Sequence, residues 1–209
     1  MGYTKRKLEE LNVLDDFMIS TLAADDEVGG DFCRELLSIL LQRKIGQVKV
    51  VTQKTIMALT PEHRGIRLDV EVNEETEDKD GENSSLNVYD IESHLQKETD
   101  FPRHNRFYQV KIDGRYLKSG EKNFNDMPDL YVITITDYDP FGKDYMVYTV
   151  HNKCEEEPEL EYNDGLKFYY FNSKGSKGGS SEIRELLLYL KESKEKNAVN
   201  DDLKKFINT

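Results

Sequence analysis

Tryptophan is absent from this 209-residue chain, and cysteine occurs only twice. Cys33 and Cys154 lie far apart and match neither a zinc-ligand spacing nor a redox pair. A disulfide framework and a cysteine-based metal finger are thereby excluded, and both residues read as reduced thiols of a cytoplasmic protein. No apolar run approaches the roughly 20 residues of a membrane-spanning helix, so no membrane association is expected. Lys5-Arg6-Lys7 leads into Leu8-Glu9-Glu10-Leu11 rather than into an apolar run, which is not the pattern of a signal peptide. Positive charge is also short: 29 Lys and Arg stand against 41 Asp and Glu, a formal net charge of −12. A chain uniformly basic for phosphate binding is excluded. The charge is unevenly spread, however. Residues 71–82 and 155–161 are densely acidic, whereas 103–122 hold Arg103, Arg106, Lys111, Arg115, Lys118 and Lys122. There is no internal repeat, and the length fits a single domain over 1–209, with 195–209 as a C-terminal helical tail.

Two alternating runs stand out. In residues 86–96, read as a strand, Tyr89, Ile91 and Leu95 share one face. Asp90, Glu92, His94 and Gln96 share the other, a face rich in acid–base and metal-binding groups. Residues 64–72 alternate as well, with Ile66, Leu68, Val70 and Val72 on one side and Arg67, Asp69 and Glu71 on the other. The segment between them, with Asp80-Gly81 and Asn83-Ser84-Ser85, has turn composition, so an antiparallel hairpin is expected. That hairpin places Asp69 beside Glu92. Two carboxylates held a few ångströms apart repel one another unless a divalent cation lies between them.

The other elements follow from periodicity. Helices are expected at 7–24, 31–44, about 102–118, 182–193 and 200–207. Strands are expected at 47–58, 129–136, 145–151 and 166–171, with 129–136 apolar enough to be a central strand covered on both faces. Asp15 and Asp16 either supply an acid to a metal site from the first helix or cap it and face solvent. Glu35, one turn inside the second helix, is a further candidate acid. The 102–118 helix carries a stripe of Arg103, Arg106, Gln109 and Asp113 opposite Phe107, Val110 and Leu117. Arg forks onto phosphate oxygens, and Gln hydrogen-bonds a phosphate or a water. His63, His104 and His151 read as surface or structural residues, and the Gly/Ser/Lys-rich 173–181 as a flexible loop.

The succession Arg67-Leu68-Asp69-Val70, Asp90-Ile91-Glu92-Ser93-His94, Arg106-Phe107-Tyr108-Gln109, Leu117-Lys118-Ser119-Gly120 and Tyr131-Val132-Ile133-Thr134-Ile135 resembles the PD-(D/E)XK nuclease superfamily. The likeness is to its putative transposases, the recombination-promoting nucleases. It extends from about residue 12, with Leu14-Asp15-Asp16-Phe17-Met18, to about residue 190. Two departures are plain. Leu68 precedes Asp69 where the motif has Pro, and His94 stands where it has Lys or, in this branch, often Gln. The resemblance implies a restriction-endonuclease-like α/β sandwich around a mixed central sheet and a Mg²⁺- or Mn²⁺-dependent DNA endonuclease. Asp69 and Glu92 would hold the metal, with a backbone carbonyl near Ser93 completing the site. His94 would orient or deprotonate a water, Gln109 would position water or phosphate, and Arg106 and Arg103 would bind phosphate. The expected partner is DNA, and a homodimer is one arrangement open to the chain. The alternative is a catalytically degenerate binding or assembly module.

Overall fold

The structure, a computed structural model, describes residues 11–57, 64–77, 84–117, 120, 123–194 and 197. Several expected features lie outside the described residues: the beginning of the first helix, His63 and its turn, Asp80-Gly81, Lys118, Lys122, and the helix at 200–207. So does most of the tail at 195–209.

The chain is mixed α/β. Strands β1 (Val48–Thr52), β4 (Val70–Glu77), β5 (Ser84–His94), β6 (Asp129–Thr136), β7 (Val147–Val150) and β8 (Leu166–Asn172) form one sheet in the order β1-β4-β5-β6-β8-β7. The outer pairs are antiparallel, while β5–β6 and β6–β8 are parallel. The expected α/β architecture with a mixed central sheet is met at this level. Helices α1 (Asp16–Ala23), α2 (Gly29–Leu41) and α4 (Ser181–Lys191) cover one face, and α3 (Phe101–Asp113) lies on the other. The larger core joins Leu36, Leu37, Leu186 and Leu190 of the helices to Val72, Tyr89, Ile91, Ile133 and Phe171 of the sheet. The smaller one joins Ile112 of α3 to Val88, Leu130 and Val132, with Ile66 and Leu68.

β6 has the bounds expected, and its inner residues are buried from both sides, as befits a parallel strand between two others. α1, α2 and α4 end within three residues of the expected ends, whereas α3 ends at Asp113, short of the expected end near 118. Ser180 caps α4, its Oγ accepting from the Ile183 N–H at 3.3 Å. α1 begins later than expected. Residues 11–15 are instead tied to the end of α4, with the Leu14 N–H donating to the Leu190 carbonyl at 2.9 Å and the Val13 N–H to Ser193 Oγ at 2.8 Å.

Three expectations are corrected, and all bear on the site. The strand expected at 47–58 breaks at Gln53, whose φ of 50° is left-handed, into β1 and the short β2 (Thr55–Ile56). Its partner breaks opposite, into β3 (Ile66–Arg67) and β4, with the Gln53 N–H donating to the Asp69 carbonyl and the Leu68 N–H to the Lys54 carbonyl, both at 2.9 Å. The kink shifts the alternation by one residue. Ile66 and Leu68 therefore face α3 while Val70 and Val72 face the other helices, so the four do not share a face. Secondly, Leu95 lies past the end of β5 and is exposed, not in the core. Thirdly, α3 is rotated: Phe101, Asn105 and Ile112 are buried, and Phe107 and Val110 face solvent.

Candidate functional site

The α3-facing side of β5 carries Asp90, Glu92 and His94 at every second position. Between β4 and β6 such a face cannot be solvated. Asp90 is fully buried and Glu92 nearly so. The antiparallel register sets Val70 opposite Ile91 and Glu71 opposite Asp90. One step further brings the kink, and with it Asp69, to Glu92: the Asp69 N–H donates to Glu92 Oε1 at 3.1 Å. Asp69 itself is half-buried, at the bend rather than within a strand.

The electrostatics of this face divide in two. Burial pushes Glu71 upward, yet the ammonium of Lys54, 2.7 Å away, and the guanidinium of Arg115 outweigh it and hold the carboxyl below its usual range. Asp90 and Glu92 lack such cations. Burial raises Asp90 most; a hydrogen bond with the Glu92 carboxyl and the more distant charge of Arg115 offset part of this, while the charges of Asp69 and Glu71 add to it. Burial likewise raises Glu92 well above its usual range, followed by the charges of Asp90 and Asp69. Apart from the proton that Glu92 can share with Asp90, no donor among the described residues hydrogen-bonds either carboxylate oxygen of Asp90, and Nε2 of His94 has no partner there.

α3 roofs the acids with aromatic and imidazole rings. The His94 ring stands edge-on to Phe101 and to His104, at centroid distances of 4.9 and 5.5 Å. His94 Nδ1 and His104 Nδ1 lie 3.5 and 3.7 Å from the two carboxylate oxygens of Glu98. Burial, then the neighbouring His94, pushes His104 downward. His104 meets Tyr108 edge-on at 4.3 Å. The Tyr108 phenol is pushed up to about 12, by burial and then by the charges of Glu92, Asp90 and Asp69. Arg64, exposed and two residues before β3, adds a small lowering influence on both Tyr108 and His104. Asn105 pins the helix to β6, its Nδ2 donating to Thr134 Oγ1 at 3.0 Å.

The structure thus brings Asp69, Glu92 and His94 to one region, as the sequence reading expected. It does not bring Gln109, Arg106 or Arg103 there. Gln109 points along α3 to hydrogen-bond Asp113, and lines a separate cavity of about 680 Å³ beside Asp129 and Asp164, at the opposite end of β6. Arg103 and Arg106 are on the exposed side of α3. Glu35 pairs with Arg34 at 3.5 Å on α2, across the sheet from the acids. The Asp16 side chain lies outside what is described. His104 and Tyr108 are site residues that the sequence did not single out, and Asp90, marked there on the acidic face of its strand, had been given no role. Asp90 had a signal in its alternation with Glu92. His104 and Tyr108 had one in their spacing of four, which puts both on one helix face.

Among the described residues, no group of three or more His, Cys, Asp or Glu side chains is arranged as a metal cage, and no helix is long and apolar enough to cross a membrane. Compared with protein-family models, with curated proteins and with solved structures, the chain matches none.

Proposed function

We propose that this chain is a Mg²⁺-dependent endonuclease, with Mn²⁺ as a substitute ion, that hydrolyses DNA phosphodiesters. On this reading it is related to the PD-(D/E)XK transposases and recombination-promoting nucleases, and its sheet with helices on both faces is their restriction-endonuclease-like sandwich. The observation that carries the proposal is the convergence of Asp69, Asp90 and Glu92, with Asp90 fully buried and met by no hydrogen-bonding group other than the Glu92 carboxyl among the described residues. Uncompensated buried carboxyls are costly to a fold, and strongly raised carboxyls in one place mark functional sites.

The donor set fits a hard cation. It is all oxygen, and Mg²⁺ is commonly held by one or two carboxylates, with waters and substrate phosphate in its remaining positions. A three-residue cage is therefore not required. Asp69 and Glu92 would hold the ion, with Asp90 beside them. Once bound, it supplies a water of lowered pKa and neutralises charge on the scissile phosphate. The remaining work belongs to the chain. The Asp69 N–H fixes one oxygen of Glu92 and so orients its carboxylate. His94 shares their face, and an imidazole is suited to exchanging a proton near neutral pH. Tyr108 keeps its proton and remains a donor near the acids. The test is plasmid cleavage with Mg²⁺, comparing wild type with Asp69→Ala and Glu92→Ala. Loss in both variants supports the proposal, and equal activity in all three refutes it.

One observation favours the second reading, a degenerate binding or assembly module. Gln109, expected to handle water or phosphate, is engaged with Asp113 instead. Calorimetry with Mg²⁺ and Mn²⁺ separates the two readings. Heat of binding that Asp69→Asn abolishes supports the enzyme, and no heat with either ion supports the module.

A further inference from the structure

The exposed side of α3 is left unused by the site beneath it. Arg103, Arg106, Phe107, Val110 and Lys111 recur there at helical spacing. Phe107 is 37% exposed and Val110 is 58% exposed. Lys111 Nζ stands 5.4 Å from the centre of the Phe107 ring. This is an apolar pair framed by three cations, on a chain whose formal net charge is −12.

The loop between β7 and β8 has the opposite character. Glu155, Glu156, Glu157, Glu159 and Glu161 are all exposed. Among them stand Leu160, 53% exposed, and Tyr162, 57% exposed. Apolar side chains framed by anions on the loop thus match apolar side chains framed by cations on the helix. In a single chain the two surfaces do not cover one another, for the apolar residues of both are open. Yet they are neighbours, since Asn163 and Asp164 of the loop line one cavity with Gln109 and Asp113 of α3.

We infer that this chain forms a homodimer in which the exposed face of α3 receives the 155–162 loop of a second copy, and the second copy's α3 receives the first copy's loop. Because both surfaces lie on the same side of the molecule, one two-fold axis makes both contacts at once. Leu160 and Tyr162 bury against Phe107 and Val110, and the glutamates meet Arg103, Arg106 and Lys111 at the rim. A second copy fits better than a nucleic acid, because Phe107 and Val110 have nothing apolar to bury against on a sugar-phosphate backbone. The inference does not depend on the nuclease reading, since neither surface contains a residue of the carboxylate site.

The experiment is sedimentation of the full chain. Wild type is expected to be dimeric at low salt, and to dissociate at least tenfold more readily when salt rises from about 0.05 to about 0.5 M, because rim charges are screened. R103E/R106E and E157K/E159K are each expected to be monomeric, with circular dichroism confirming that both fold. Mixed together, the two variants restore both contacts. The glutamates placed on one α3 meet the lysines placed on the other loop, while the second α3 and the first loop keep their native charges. A heterodimer in the mixture therefore supports the inference. A wild type that stays monomeric, variants that stay dimeric, or a mixture that does not associate overturns it. So does an R103E/R106E variant that keeps the wild-type association state and loses only duplex-DNA binding, which would assign the face to nucleic acid.

Discussion

Replacing Asp90 by Asn removes a buried acid while nearly keeping its shape. Burial first, and then the charges of Asp69 and Glu71, raise this carboxyl from 3.8 to about 8. Unfolded, it ionises near the ordinary value of about 4. Between those values the folded chain holds a proton that the unfolded chain has released, so stability must fall as pH rises. The contribution is complete below about pH 4 and is lost by about pH 8. One proton corresponds to about 1.4 kcal/mol per pH unit, which is the steepest slope this carboxyl can impose as pH rises above about 4. Asn has no proton to lose, and its amide can donate to Glu92. Urea unfolding followed by circular dichroism, at fixed ionic strength, should therefore give wild-type and Asp90→Asn stabilities that converge near pH 4. They should separate in the variant's favour toward pH 8. Under the proposed function, saturating Mg²⁺ at pH 8 closes much of that gap by stabilising wild type. Stability curves that run parallel across this range would refute the reasoning, since they would mean that the Asp90 carboxyl ionises alike in both states.

Three further outcomes are expected. Arg115→Ala should cost about 2 kcal/mol in urea unfolding, because buried Glu71 keeps Lys54. Adding Lys54→Ala should cost more than its own single effect, because the second loss strands a buried charge. Iodoacetamide applied to the folded chain should label Cys154 and spare Cys33, which is buried with its thiol pushed up to about 12 by that burial; equal labelling by mass spectrometry would contradict this. His94→Ala should lower Mg²⁺-dependent cleavage about 10²- to 10⁴-fold, and His94→Gln, the residue common in the resembled family, should retain it. Wild-type rates in both would make His94 a bystander.

What could be read from the sequence was what each segment decides for itself. β6 runs apolar from Leu130 to Ile133 with Ile135 beyond, and its bounds are those expected from the sequence. α2 and α4 present apolar stripes that bury as expected. The kink could not be read, because it is made by two strands bending together at Gln53 and Asp69, and no glycine marks it. The phase of α3 was misread for a related reason. Periodicity turns Phe107 and Val110 inward on hydrophobicity alone, but the sheet below offers Asp90, Glu92 and Thr134. Against those, Asn105, His104 and Tyr108 are the better neighbours, and the helix rotates to present them. Gln109 lost its expected place with that rotation.

The same limit holds within the site. Alternation along β5 marks Asp90, Glu92 and His94 alike, and nothing in the sequence says which acid will be left uncompensated. The difference lies in what each strand meets across the sheet. Glu71 and Asp90 are direct partners in the β4–β5 register, both fully buried, both carboxylic. Glu71 draws Lys54 from beside the kink and Arg115 from just past α3, and together they hold its carboxyl below the usual range despite burial. A buried acid so paired is accounted for by the fold alone. Asp90, one strand over, has no cation within hydrogen-bonding reach among the described residues, and its other neighbours are Asp69 and Glu92. A fold that neutralises one of two facing acids with two cations, and leaves the other against two more acids, gains no stability from the second. That asymmetry assigns Glu71 to structure; under the proposed function, Asp69 and Glu92 would take up a cation that the fold itself does not supply, with Asp90 beside them.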